Sequence, residues 1–395
     1  MKVLIVGGGV GGLATAIAMA QRGQDVTVLE QAKYLNEIGA GLQIAPNGWR
    51  VLEALGVTPL IRKTLFEPEH IEMRLGVSGR KIFRLQMRGY AEQRWSAPYI
   101  HIHRADLVDA LISRLNFIAP NAICTGKTVT GYMQDRERAT VSFANGDTMS
   151  SDVVIGADGL HSVFRSQMFG PSSPRYTGNV AWRAVVPIDA LGDAAPPFGA
   201  CIWVGNKRHA VTTRLRAGKL ANFVGMVETP EPSREGWRVV GQKTDAQEAF
   251  KGWHPVVTTL IDQAKILNCW ALFDRTALPR WHEGRVVLMG DAAHPMLPSM
   301  AQGAAQALED AWILAALLAQ NGNPESAFEK FYELRILRTA RVQKRSIRNA
   351  QLFHIGSKLG CAAVYGSLAI GARFLPNRVQ AQQDWVFGYN ALSTV

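Results

Sequence analysis

The residues best able to do chemistry sit in three glycine-bearing turns, far apart along a chain of 395 residues. The first is Gly7-x-Gly9-x-x-Gly12, followed 18 residues later by Glu30. The second is Gly156-Ala-Asp158-Gly159-Leu-His161-Ser162. The third is Gly290-Asp291, followed by a loop through Pro298 to Gly303 and Ala304. An acid beside a glycine turn can accept hydrogen bonds from sugar hydroxyls, and a helix start just after the turn offers unpaired N–H groups to phosphate or to developing negative charge. A fourth candidate stands apart. His209 lies in a β-type run, and imidazole is the side chain whose ordinary pKa suits proton transfer near neutrality.

The elements that would position the first turn can be read directly. Val3 to Val6 is a short apolar strand, an alanine-rich helix follows the glycines, and Val26-Thr-Val-Leu is a second strand ending in Glu30. In this strand–turn–helix–strand unit Gly7 permits the tight turn, Gly9 lets backbone approach a pyrophosphate, and Gly12 allows close helix–strand packing, while Glu30 meets a ribose. The same stretch superficially resembles a secretory signal, with Lys2 and Ala18-Met-Ala20. Its five glycines between Gly7 and Gly12, and its run straight into Glu30, oppose that reading.

Further along, the loop Ile38 to Asn47 has clustered glycines and a proline, as backbone lying against a ligand would. A helix follows over roughly 48–55, then alternating strands over 70–95. His103-Arg104-Ala-Asp106 opens a helix running through Leu115. Arg104 there is either a phosphate contact or the partner of Asp106 in a surface ion pair. Short β runs fill 121–155, and the strand ending at Ile155 delivers Asp158, with Ser162 placed to cap a helix. From Tyr176 to Asn268 the texture is alternating β. A hairpin is expected there, with Ala200 to Val204, a turn at Gly205-Asn206, and Arg208 to Leu215. Period two puts Arg208, Ala210, Thr212 and Arg214 on one face, read as wet, and His209, Val211, Thr213 and Leu215 on the covered face. His209 is then either a satisfied core residue or a polar group in an apolar pocket. The third turn follows a buried strand and feeds a helix from Gly303 through Leu318. The Arg- and Gln-rich helix around 332–353 reads as a solvated face, the stretch 359–372 as a packed helix pair or interface, and the aromatics of Asp384 to Tyr389 as packing back on the domain.

Composition narrows the class. At 47% hydrophobic residues the chain can bury the core of two domains or one large interleaved one. The four cysteines are widely spaced, with no metal or redox motif, which implies reduced thiols, no metal and a cytoplasmic protein. The 43 basic residues exceed the 32 acidic ones, giving +11, but they are scattered. No nucleic-acid motif accompanies them, so the field reads as a generally basic surface or as steering of a small anion. The longest uncharged stretch near the C-terminus, 14 residues, is too short to span a bilayer.

Taken in order, GGGVGG…LE, GADGLHSVFR and GRVVLMGDAAHPMLPSMAQGAAQALEDA resemble the motifs of the single-component FAD-dependent aromatic hydroxylases with a para-hydroxybenzoate hydroxylase-like fold. GAGLQIAPN, IHRADL and the HPMLPSMAQGA loop are similar to the branch acting on salicylate, 3-hydroxybenzoate and 6-hydroxynicotinate. The resemblance implies an α/β architecture: a Rossmann-like FAD-binding domain (1–70, 99–175, 276–340), an inserted mostly β substrate domain (71–98, 176–275) and a C-terminal helical segment (341–395). It implies bound FAD, NADH or NADPH as electron donor, O2 as oxidant, a small anionic aromatic substrate, and a monomer or homodimer. Gly7, Gly9, Gly12, Glu30, Gln31 and Val129 would hold the adenosine half of FAD. Arg104 and Asp291 would serve its pyrophosphate and ribityl side, Asp158 with Gly159 both flavin and nicotinamide, and Gln43, Gly303 and Ala304 the flavin ring. Gln43, Thr213 and Pro298 would line the substrate pocket. His209 would be the base, since a flavin C4a-hydroperoxide transfers OH more readily to a phenolate than to a phenol of pKa about 10. Some members carry Tyr where this chain has Thr213, which opens the choice of substrate. The alternatives are a urate-like or polycyclic substrate on the same fold, and a non-enzymatic binding or escort protein.

Overall fold

The computed structural model describes residues 1–35, 41–171, 173–230, 240–320 and 322–395. Residues 38–40 of the glycine-rich loop therefore lie outside the described residues. The chain opens with β1 (Lys2–Val6), α1 (Val10–Ala20) and β2 (Asp25–Leu29), the two strands parallel with Val6 opposite Leu29. Val3, Leu4, Ile5, Leu13, Ala14 and Ile17 are completely buried. A parallel strand covered on both faces has no polar side, which is why this run shows no alternation. It is part of the core, as the reading against a signal segment requires.

β1 lies inside a six-stranded sheet. On its far side is the parallel strand Val153–Gly156, and beyond that, again parallel, Val286–Leu288. The three turns therefore leave the carboxyl ends of three adjacent parallel strands, and Glu30 leaves a fourth. In open α/β sheets this is where ligands collect. Sequence separation of nearly 300 residues is cancelled by strand order.

A second sheet of seven strands runs in the order Asn268–Asp274, Arg175–Pro187, β4 (Leu220–Glu228), β3 (Arg208–Leu215), Ala200–Gly205, His70–Leu75 and Lys81–Gln86. All its pairings are antiparallel except Ala200–Gly205 with His70–Leu75. One face packs under the helices Lys243–Ala249 and Pro255–Gln263, with Trp182, Trp203, Ala210 and Phe223 against Phe250, Val257 and Leu260.

That packing corrects the expectation of a wet face on β3. Ala210 and Thr212 are fully buried, and Trp203 Nε1 donates to Thr212 Oγ1 at 3.0 Å. The two arginines that suggested solvent lie near the strand ends and reach out to the carbonyls of Ala249 and Pro196. Long cationic side chains can lie over apolar surface while their heads find polar partners. The opposite face is covered too. Leu297, from the third turn, packs with Ala181, Met226, Trp270 and Leu272, and Gly41 N donates to Asn222 Oδ1 at 3.0 Å. This face, which carries His209, Thr213, Asn222 and Met226, is therefore turned toward the ligand end of the first sheet.

Smaller differences have local causes. The hairpin turn falls at Asn206-Lys207, with Lys207 left-handed (φ 56°), so Gly205 stays in the strand. Residues Tyr90–Trp95 form a helix where alternation suggested strand. After α2 (Gly303–Gln320), helix α3 runs over Pro324–Phe353, beginning at a proline with Asn323 capping Glu325 N at 3.0 Å. The tail packs back as expected: Phe387 meets Trp95 edge-on at 5.0 Å, and Tyr389 lies under the Arg338 guanidinium at 3.7 Å. Among the described residues no helix is long and apolar enough to cross a membrane, no cluster of three His, Cys, Asp or Glu could hold a metal, and the four cysteines are free.

Candidate active site

The glycines of the first turn divide into two kinds. A Cβ on Gly7 (φ +116°) would lie 2.3 Å from Ala157 O, and one on Gly12 would lie 1.9 Å from Gly7 O. Both are demanded by packing. Gly9, at the start of α1, has nothing within 4 Å of its would-be Cβ. Open space beside an unpaired helix N-terminus is what a pyrophosphate needs. Glu30 accepts from Gly8 N and from Ala32 N, each at 2.8 Å. That uses one lone pair of each oxygen and leaves others for hydroxyl donors. Gln31 is exposed next to it, whereas the Val129 side chain is buried, so what Val129 can offer a ligand is its main chain.

Asp158 Oδ2 accepts from Val163 N at 2.8 Å, while Oδ1 is buried with no hydrogen bond. Burial raises its pKa against the hydrogen bonds that favour the carboxylate. An orphaned acceptor of this kind is costly unless a ligand hydroxyl or water meets it. Gly159 (φ +77°) has open space at its Cβ position, and Ser162 caps the following helix through Arg165 N at 2.9 Å.

Gly290 turns the third loop with φ +57°, and its N–H donates to Asp310 Oδ2 at 2.9 Å. Asp291 is exposed to the cleft, yet desolvation by the surrounding protein raises its carboxyl pKa, opposed by His294 and Arg104. Arg104 is thus close enough for its charge to act on Asp291. Asp106 binds Arg216 at 2.8 Å. Past Pro298 and a left-handed Ala301 (φ 50°), the first intrahelical bond of α2 runs from Gln306 N to Gln302 O. The N–H groups of Gly303 and Ala304 stand before it at the positive end of the helix.

Beneath that helix start lies a buried ion cluster, so the solvated-face reading of α3 holds for Arg341, Lys344 and Arg348, which are exposed, and fails at Arg335 and Arg338. Arg335 is fully buried and binds Glu309 at 2.5 Å and Asp310 at 2.7 Å; Arg338 and Asn47 each reach Glu309 at 2.7 Å, and His294 reaches Asp310 at 2.6 Å. Burial alone would raise both carboxyl pKa values. Arg335 and Arg338 beside Glu309, and His294 and Arg335 beside Asp310, hold them below the usual range instead.

On the substrate side, Gln43 Oε1 accepts from Tyr99 OH. Thr213 is buried, and its Oγ1 accepts from Asn222 Nδ2 at 3.2 Å. Asn222 in turn holds Gly41 N, so Thr213 is tied to the strand that carries Gln43. Pro298 sits partly exposed in the adjoining loop, one residue from Leu297. Arg183, on the same sheet face as Ala181, lies over Trp270 at 4.6 Å, and burial with Arg104 lowers its pKa to about 10.

His209 has the surroundings of a satisfied core residue. It is 1% exposed, its Nδ1 is 2.7 Å from His354 Nε2, and Phe353 packs edge-on at 5.0 Å. That is a satisfied core histidine. Its strand face is nonetheless the one turned to Leu297 and Gly41. Burial, and then His354, push its pKa well below the ordinary value, so the ring is neutral at physiological pH. Asn222, Tyr99, Arg183, His354 and Glu228 were not singled out from sequence. Period two over Leu220 to Val227, with Asn222, Val224 and Met226 opposite Ala221 and Phe223, was a signal for the first. His354 follows the last turn of α3 and had none.

The FAD binding domain family matches residues 1–345 of the chain. A 6-hydroxynicotinate 3-monooxygenase of Pseudomonas fluorescens is 36% identical, over 89% of this chain and 91% of its own length. The 3-amino-4-hydroxybenzoate 2-monooxygenase PtmB3 of Streptomyces platensis is 35% identical over 90% and 89%. Among solved structures, Klebsiella pneumoniae HpxO complexed with FAD and uric acid superposes with a TM-score of 0.84 at 28% identity, covering 95% of each chain. The open Gly9, the acceptor at Glu30 and the orphaned Asp158 oxygen fit a dinucleotide such as the FAD of the HpxO complex. The chain belongs to the FAD-binding-domain family of flavoproteins. Within it, this protein is a flavin-dependent aromatic monooxygenase with bound FAD.

Proposed function

We propose that the chain hydroxylates a phenolic or N-heteroaromatic acid, with or without decarboxylation, using NADH or NADPH and O2. The observation that carries this reading is the position of His209 on the covered sheet face turned to the third turn, with its Nδ1 2.7 Å from His354 Nε2. Bound FAD, reduced by the nicotinamide and reoxidised by O2, supplies an electrophilic hydroxyl equivalent. The protein's part is to hold the cofactor and prepare the ring. Gly7, Gly9, Gly12, Glu30, Gln31 and the Val129 main chain take the adenosine half; Arg104 and Asp291 take the pyrophosphate and ribityl portion; Asp158 with Gly159 meets flavin and nicotinamide. The N-terminus of α2 at Gly303 and Ala304, with Gln43, would hold the flavin ring and would stabilise negative charge on it. Gln43, Thr213 and Pro298 bound the substrate. His209 removes the phenolic proton, which makes the ring a better nucleophile. The basic net charge and Arg183 favour an anionic substrate. The relatives named above act on aromatic acids by their names, which supports this choice over a urate-like heterocycle; the uric-acid complex of HpxO, together with Thr213, keeps the heterocycle as the second reading. The protein acts in the cytoplasm as a monomer or homodimer.

The test is a screen of 3-hydroxybenzoate, 6-hydroxynicotinate, salicylate and urate for stimulation of NADH and NADPH oxidation with O2 uptake, followed by product identification. An aromatic acid is expected to give coupled turnover. Turnover of urate alone would favour the second reading, and FAD-loaded protein inert to all of them would overturn the proposal. His209→Ala is expected to lower hydroxylation by roughly 10²–10⁴-fold, the usual range for a general base.

A further inference from the structure

His209 does not end its own hydrogen-bond chain. Its Nδ1 meets His354 Nε2 at 2.7 Å, and His354 Nδ1 meets Glu228 Oε1 at 2.7 Å. His209 is 1% exposed and the His354 side chain 5%, whereas the Glu228 side chain is 41% exposed. Three titratable groups thus form an unbroken line from the buried sheet face to the surface. They come from β3, the C-terminal cap of α3 and the end of β4. The line is held from outside its own side chains as well: Lys207 N donates to His354 O at 3.3 Å and Glu228 N donates to Lys207 O at 2.9 Å.

The order of donors along the line is fixed by its outer end. An ionised carboxylate only accepts, so His354 must carry its proton on Nδ1. With His354 neutral, the form its burial favours, its Nε2 has a lone pair and accepts from His209 Nδ1–H. That leaves His209 Nε2 unprotonated and able to accept from a substrate. In each imidazole the hydrogen bond made by one nitrogen selects the tautomer of the other. Resting on the reading of His209 as base, we infer that His354 and Glu228 are positioning residues forming a proton path, which sets the tautomer of His209 and carries the substrate's proton toward the surface.

The transfer balances. The substrate O–H proton passes to His209 Nε2, the His209 Nδ1 proton to His354 Nε2, and the His354 Nδ1 proton to Glu228. The result is a substrate oxyanion and a neutral Glu228 carboxyl, with both imidazoles neutral and no cation stranded in the core. When the hydroxylated carbon gives up its C–H proton to solvent and the ring regains its aromaticity, the same transfers run backward and return the proton held at Glu228 to the phenolate oxygen. This resolves the difficulty posed by burial, which makes His209 a poor site for a lasting positive charge. Burial and His354 act on His209, and burial and Glu228 act on His354, with the carboxylate raising its proton affinity. Lys207 and Arg208 are the charged neighbours at the outer end, Lys207 exposed and Arg208 turned to the Ala249 carbonyl.

The test uses the FAD-loaded enzyme without nicotinamide. Bound 3-hydroxybenzoate, or 6-hydroxynicotinate if only that acid is hydroxylated, is titrated with pH while phenol and phenolate absorbance are read. Glu228→Gln and His354→Gln keep polar side chains of similar length but cannot pass a proton along the line. Each is expected to move ionisation of the bound ligand upward by about one pH unit, a tenfold change, and to lower hydroxylation kcat about tenfold with KM little changed. Long-range proton–nitrogen spectra of histidine-labelled protein should show His209 protonated on Nδ1 in the parent and a mixture in Glu228→Gln. FAD content and Tm check that the variants are folded, and the exposed Glu228 makes its variant the safer one. If His209→Asn loses ligand ionisation while both Gln variants match the parent within twofold, the proton path is wrong and the base stands. If His209→Asn also matches the parent, the base assignment itself falls, and the path with it.

Discussion

Single residues were legible where geometry leaves no choice of side chain. Gly7 and Gly12 announce themselves because a Cβ at either would collide with main chain, and Asp158 and Asp291 because each follows a glycine-turned strand end. Gly9 is legible for another reason, since only a ligand would make its missing side chain matter. The two kinds of glycine should separate experimentally. Gly12→Ala, with its Cβ 1.9 Å from Gly7 O, is expected to lower Tm and FAD content together. Gly9→Ala meets open space and an ordinary backbone (φ −77°), so the Tm of the flavin-free protein should be unchanged while FAD affinity falls. Thermal melts of stripped protein and flavin titration measure the two effects independently. His354 was out of reach at this scale, because its importance arises from a partner 145 residues away and no local pattern marks it.

At the scale of elements, alternation gave the right face of β3 for His209 and Thr213 and the wrong environment for the other. Period two reports that the faces differ; it does not report what covers each one. Here a pair of helices more than 30 residues further on roofs the face that carries two arginines, and those arginines escape at its edges. The consequence is sharp at Ala210, which is completely buried among Trp203, Phe223 and Phe250. A solvent-facing alanine would tolerate Ala210→Asp with a change of a few tenths of a kcal/mol. A buried unpaired carboxylate is instead expected to cost upwards of about 3 kcal/mol, read as a lowered urea midpoint. Ala210→Ser should cost much less, since a hydroxyl is small and its desolvation penalty modest. The FAD-binding unit was more fully legible, because strand, turn, helix and acid follow one another within thirty residues. By contrast the short helix Tyr90–Trp95 depends on distant packing of Trp95 against Phe387.

At the scale of the molecule, the arginine-rich helix α3 is what joins the C-terminal segment to the ligand end of the first sheet. Arg335 and Arg338 read as part of its solvated face because their partners, Glu309 and Asp310, belong to another helix, and only tertiary structure turns these two inward while Arg341 and Arg348 stay exposed. Asp310 holds Gly290 N and His294, while Glu309 holds Asn47 and Arg338, so the cluster braces both the third turn and the start of α2. Removing Arg335 strands two carboxylates in the core. Arg335→Leu is expected to destabilise by about 3–5 kcal/mol, the range for breaking a buried pair from one side, and to loosen the third turn enough to lower FAD affinity. The acid dependence has a definite sign. Both carboxyls have folded-state pKa values below those of the unfolded chain, so the unfolded state takes up protons first as pH falls. Their stabilisation is fully present above the unfolded value near 4 and declines as pH drops below it. Urea unfolding between about pH 7 and pH 3 should therefore show the parent losing stability steeply at the acid end. Arg335→Leu, whose carboxyls have lost the cation that held their pKa values down, should start lower and lose less over the same interval. Parallel curves for the two proteins would mean that the cluster's charges are not what ties α3 to the site.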